Sequence, residues 1–202
     1  MVPPRSRFHG DEPAFDPDFL QRVQRREPQA MGAFFERYYD RVYAHVVNLM
    51  RDPVRGQDVC QDVFLKLHHA VAKLDPRRDP TPWVFAVASN AVRDHWRSRA
   101  HTRDRREQGV EDLGVLDVAH PDRGVQAAME KDQELRAVWS ALHSLGEDDR
   151  EVILLRDYEE LETKDVADML GITPEAVRQR HSRAVRRLGE EYRRRHDAAA
   201  GS

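Results

Sequence analysis

From Pro28 to Met50 the apolar side chains Met31, Phe35, Tyr38, Val42, Val46 and Leu49 return at steps of three and four, the period of one helix face. The same period runs through Val59, Val63, Leu67, Ala70 and Leu74, and through Trp83, Val87, Ala91 and Trp96. It reappears in Met129, Leu135, Val138, Trp139 and Leu142, and again in Val152, Ile153 and Leu155. No segment sustains the period-two alternation of a half-buried strand, and no internal repeat is evident. The expected fold is all-α. Charged residues make up 34% of the 202 positions, against roughly 25% in typical globular chains. So many charges point to small helical bundles rather than one large core.

Breakers divide the chain. Residues 1–15 hold three Pro and a Gly with no apolar period, so a disordered tail is expected there. Phe19 and Val23 suggest a short first helix ending before Pro28, RDPVRG (51–56) interrupts the next two helices, and DPRRDPTP (75–82) is a loop. Thr81 is placed to cap the following helix, with Pro82 in its first turn. Residues 107–124 change character, with three Gly, one Pro, five acidic residues and a single Arg. They read as an acidic linker. The expected domains are residues 16–106 and 125–196, the second followed by a short tail at 197–202. No run approaches the ~18 apolar residues of a membrane span, and the N-terminal residues lack a signal-peptide core. Lone Cys60 excludes an intramolecular disulfide and fits a reducing cytoplasm.

The net charge of −3 conceals a pattern. Residues 77–106 carry eight Arg against three Asp, and residues 173–196 eight Arg against three Glu. Two basic segments on an otherwise acidic chain suggest two polyanion contacts, although solvated helix faces would give the same count.

The most specific local pattern is Thr163 to Arg187. Thr163 is placed to cap a short helix bearing Val166, Ala167, Met169 and Leu170, and Gly171 follows where a helix C-terminus needs a left-handed residue. Thr173 then caps a second helix with Pro174 at its first position. The steps Ala167–Gly171–Val177 match a helix-turn-helix. Val177, His181, Ala184 and Leu188 form the inward stripe, leaving Glu175, Arg178, Gln179, Ser182, Arg183 and Arg186 outward. Arg and Gln suit guanine and adenine edges in a major groove. His181, on the inward stripe, reads as a packed or hydrogen-bonded histidine more readily than as a metal ligand or proton switch.

Basic residues interleaved with aromatics also mark the third long helix, where Asn90, Arg93, Trp96, Arg97 and Arg99 suit single-stranded nucleic acid; Trp83 reads as core. Nothing points to an enzyme, a cofactor or a metal. There is no GxSxG, GxxxxGK[ST] or HExxH, and His68-His69 with one Cys cannot build a zinc site.

Taken in order, QDVCQDVFLKL (57–67), WVFAVASNAVRDHWRSR (83–99), ALHSLGEDDREVILLRDYEEL (141–161) and the helix-turn-helix resemble the extracytoplasmic-function (ECF) group of bacterial RNA polymerase sigma factors, over about residues 16–192. The resemblance implies a first domain that binds core RNA polymerase and the melted minus-ten element, and a second that binds the minus-thirty-five element. By position it implies polymerase contacts at Asp58, Gln61, Asp62 and Leu65, and a flipped-base contact at Asn90. Arg178, Gln179, Ser182 and Arg183 would face the upstream DNA, and the linker would repel DNA or occupy a polymerase channel. It also allows an inhibitory anti-sigma partner. Two other readings remain open at this stage: a stand-alone helix-turn-helix regulator and a helical protein-interaction adaptor.

Overall fold

The computed structural model describes residues 15–103 and 127–200, with side chains described over 15–98 and 134–195. All regular structure among these residues is helical. The chain forms two compact units, the first with helices α1 (Pro17–Gln24), α2 (Pro28–Met50), α3 (Pro53–Ala70) and α4 (Thr81–Arg103). The second holds α5 (Ala127–Ser144), α6 (Glu147–Ile153), α7 (Thr163–Leu170) and α8 (Pro174–Ala200). The expected tail at 1–15 and linker at 107–124 fall almost wholly outside the described residues. Phe15, the last residue of that tail, stacks on Phe19 and carries the Arg37 guanidinium 4.1 Å above its ring.

In the first unit α2, α3 and α4 pack against one another, and α1 closes the end of α2. Phe34, Tyr38, Val42, Val46, Val63, Leu67, Val84, Phe85, Ala88 and Val92 form its core. Only Arg51 and Asp52 separate α2 from α3, so the break expected over RDPVRG shrinks to two residues. Arg51 takes the left-handed conformation at φ 57°, and Asp52 accepts from the Arg55 N–H at 3.0 Å to cap α3. This tight turn brings α3 onto α2 at Gly56, where a Cβ would stand 2.8 Å from Val47 Cγ2 and 3.3 Å from Val47 Cα. The backbone atom cannot rotate aside. Gly56→Ala should therefore lower the first unit's stability by about 1–2 kcal/mol despite alanine's better helix propensity, read as a lower urea midpoint.

Burial also corrects the phase of two stripes. Phe34 is fully buried and Phe35 is only half-buried, edge-on to Phe64 at 5.2 Å. On α4 the buried positions are Val84, Phe85, Ala88, Ser89, Ala91 and Val92, while Trp83, Val87 and Trp96 are half-buried. Thr81 is not the cap of α4. The Asp79 carboxylate accepts from the Thr81 N–H at 2.9 Å and from its hydroxyl at 2.7 Å, and the Tyr38 hydroxyl joins the same hydroxyl at 2.8 Å.

In the second unit α5, α6 and α7 each pack on α8, around Val138, Leu142, Val152, Leu155, Val166, Val177 and Leu188. Buried Arg150 donates to the carbonyls of His143 and Leu145, satisfying the end of α5. After Ile153 the helix widens into a π turn, Leu154–Tyr158.

Candidate nucleic-acid interface

Gly171 ends α7 at φ 65°, and the Ile172 N–H reaches back to the Ala167 carbonyl at 3.1 Å. That six-residue closure turns the chain into α8. Thr173 caps α8 as expected, its hydroxyl accepting from the Ala176 N–H at 3.1 Å. Thr163 does not cap α7. Glu162 holds the cap position without a side-chain bond, and Thr163 is the first helical residue.

The turn fixes which face of α8 looks outward. Val177, Ala184 and Leu188 are buried, whereas Glu175, Arg178, Gln179, Ser182, Arg183 and Arg186 are all exposed. The first five line one shallow depression. His181 sits at the margin, where its Nε2–H donates to the Asp157 carboxylate at 2.7 Å. That bond ties α8 to the π turn. Among the described residues no group of three His, Cys, Asp or Glu is placed to hold a metal.

Not every arginine of α8 is available to a partner. Arg180 pairs with Asp148 at 3.4 Å and Arg187 with Asp149, so two of the eight serve to fasten α8 to α6. Arg194 pairs with Glu191 at 2.6 Å, and Arg195 meets Ser140. On the face with Gln179 stand exposed Arg178, Arg183 and Arg186, the last within 3.8 Å of Glu190, and further along α8 exposed Arg193 donates to the Gly189 carbonyl. Glu175 shares the Gln179 face: its Oε2 accepts from Arg178 Nε at 3.1 Å and Nη2 at 2.7 Å, and its Oε1 from Gln179 Nε2 at 3.2 Å. These bonds, with the Arg178 charge, hold the Glu175 carboxyl below its usual range.

On α4 the second basic segment exposes Asn90 and Arg97, with Arg93 and Trp96 half-buried. Arg99 lies on the same helix, its side chain outside the described residues. Asn90 Oδ1 accepts from Arg93 at 2.9 Å. Asp94 accepts from Arg97 at 3.1 Å and from Lys66 of α3 at 3.0 Å, a cross-helix contact that nothing in the residue pattern announced.

On α3, Asp58, Gln61, Asp62 and Leu65 are all exposed on one face, Leu65 to 59%. Near Leu65, Tyr39 of α2 stacks on Phe64 at 5.6 Å yet stays half exposed. Its position is out of phase with the core stripe of α2, the one signal that could have marked it. Cys60 is buried, and burial pushes its thiol up to about 11, so it stays an unreactive core residue. No helix among the described residues is long and apolar enough to cross a membrane.

Comparison with known proteins matches both units to families. Residues 34–102 match Sigma-70 region 2 and residues 141–190 match Sigma-70, region 4. An ECF RNA polymerase sigma factor SigK from Mycolicibacterium vanbaalenii is 30% identical over 172 residues, covering 84% of this chain and 85% of that protein. The RNA polymerase sigma-H factor of Pseudomonas aeruginosa is 25% identical over 172 residues, covering 84% and 89%. Two solved structures share the fold. One is the sigma factor RpoE with the anti-sigma factor NepR from Bartonella quintana (TM-score 0.66, 20% identity, 80% of this chain and 96% of that one). The other is CnrH with the cytosolic domain of CnrY (TM-score 0.60, 23% identity, 87% and 95%).

Proposed function

The chain belongs to the ECF group of RNA polymerase sigma factors, and from that premise we propose how its named surfaces divide the work of promoter recognition. As a sigma factor it binds core RNA polymerase and promoter DNA and directs transcription initiation. Asp58, Gln61, Asp62 and Leu65 of α3 form the polymerase contact. Asn90, Arg93, Trp96, Arg97 and Arg99 of α4 meet the melted minus-ten strand, where rings stack on bases and arginines neutralise phosphates. Glu175, Arg178, Gln179, Ser182, Arg183 and Arg186 of α8 face the minus-thirty-five duplex. Domain 16–106 and domain 125–196 carry these roles across an acidic linker at 107–124. The protein works in the cytoplasm, has no catalytic site of its own, and is a candidate target for an anti-sigma protein, as RpoE is for NepR.

The observation that best supports this reading is the exposed Arg178–Gln179–Arg183 face that the Gly171 turn presents on α8. Its test is initiation by the protein plus core polymerase on a promoter library. Arg178→Ala or Arg183→Ala should each cost about 1–3 kcal/mol of upstream-element binding and relax preference at particular bases. Equal loss on every sequence would instead place that arginine on phosphate. For the polymerase face, Asp62→Arg should weaken core binding at least several-fold while stability stays within about 0.5 kcal/mol, because the position is exposed. Unchanged core affinity in a titration would count against the surface.

A further inference from the structure

We propose that Glu175 is a positioning residue: it orders Arg178 and Gln179 into a preset reading pair, so promoter specificity depends on an acidic side chain that need not touch a base. This rests on the assignment of α8 as the reading helix. Glu175 and Arg178 lie three positions apart on α8, and Glu175 and Gln179 four, so all three share one helix face. One oxygen of Glu175 takes both Nε and Nη2 of Arg178, at 3.1 and 2.7 Å, and the other takes the Gln179 amide at 3.2 Å.

The chemistry of each bond decides what is left to offer. A carboxylate only accepts, so the Gln179 nitrogen must face it. That leaves one amide N–H and the carbonyl oxygen, the donor and acceptor that an adenine N7 and N6-amino edge requires. Arg178 commits its Nε side to Glu175. Its Nη1–Nη2 edge stays free, and that edge can meet the O6 and N7 of a guanine. Two long, exposed side chains thus enter the groove with part of their rotamer freedom already removed, which lowers the entropic cost of ordering them on DNA. The same carboxylate repels phosphate, so it weakens binding to DNA of the wrong sequence. Removing its charge should therefore act in opposite directions on specific and non-specific binding. A side chain that merely supported the fold would lower both.

The experiment uses the full chain in holoenzyme with core polymerase, a promoter library randomised over the upstream element, and a non-promoter duplex. Four proteins are compared: the natural sequence, Glu175→Gln, the double variant Arg178→Ala/Gln179→Ala, and the triple variant. Glu175→Gln should raise affinity for the non-promoter duplex and lower the ratio of selected to average library sequence about tenfold. It should flatten preference at the bases that the double variant also releases. In the double-variant background Glu175→Gln should change base preference no further, the non-additivity expected of residues acting as one unit. An unaltered profile in Glu175→Gln overturns the proposal, as does a new shift at a base the double variant leaves intact, which would make Glu175 a direct reader. If the double variant itself leaves the library profile unchanged, the reading-helix assignment falls, and this proposal with it.

Discussion

Between pH 7 and pH 5 the first unit should lose about 2 kcal/mol of stability through a single side chain, His45. His45 is fully buried between α2 and α4, edge-on to Phe85 at 5.2 Å, with Nε2 against the Ser89 hydroxyl at 3.1 Å. Its Nδ1 has no partner. Burial, and then the Arg93 charge, push its pKa down from 6.5 to about 3. The unfolded chain takes up a proton near pH 6.5 and the folded one does not, so acid favours the unfolded state. The stabilisation is intact above pH 6.5 and drains away as pH falls towards 3, at about 1.4 kcal/mol per unit in between. Urea unfolding at pH 7.5 and 5.0, followed by Trp83 and Trp96 fluorescence in a Trp139→Phe background, measures the loss. His45→Gln should be less stable at neutral pH but lose about 2 kcal/mol less on acidification. Parallel losses in both proteins would mean that the carboxylates, not His45, set the acid slope.

His45 also shows where the residue pattern was silent. It stands three residues after Val42, on the stripe that carries Val42, Val46 and Leu49 into the core, yet a histidine on such a stripe can equally face a margin, as His181 does. What separates the two is tertiary: Ser89 on α4 for one, Asp157 on the π turn for the other. The helices themselves were legible because apolar steps of three and four leave no other period. Their phase was less so where neighbours are alike. Phe34 and Phe35 are chemically equal candidates, and only packing by Phe15 and Tyr38 selects Phe34. In α4 the twelve uncharged residues Thr81–Val92 hold only Ser89 and Asn90 as side chains with a polar hint of phase beyond the first residue. Ser89 misleads, for it is buried.

The outward face of α8 was legible, because the Thr173 cap, Gly171 and the apolar stripe Val177, Ala184 and Leu188 fix its phase independently. The roles of its arginines were not. Arg180 and Arg187 look in sequence like their neighbours, but α6 brings Asp148 and Asp149 up to them. Pairing across elements is invisible to a count along the chain, so the eight arginines of 173–196 overstate what DNA can meet.

Severing the chain between residues 107 and 124 should therefore abolish initiation at submicromolar protein, although each fragment keeps its own core. Each basic segment has a surplus of only five charges, and two arginines of the second are also paired with Asp148 and Asp149 of α6, which lie outside that segment. At physiological salt the remaining phosphate attraction is screened within about 8 Å. Neither unit alone should hold a promoter. Joined, the second contact becomes intramolecular at roughly millimolar effective concentration. Against fragments at about 100 nM that is a gain on the order of 10⁴ in occupancy of the second site. The linker composition, five acidic residues and one Arg, adds no duplex affinity of its own, so the gain is in tethering alone. Residues 1–106 and 125–202, purified separately and mixed in equimolar amounts, should give circular dichroism spectra of folded helical proteins and no run-off transcript. Raising both fragments about a thousandfold should recover part of the signal, because mass action then replaces the tether. Full transcription from the mixture at 100 nM would show that each unit binds tightly by itself, and that the promoter is read by two independent contacts rather than a coupled pair.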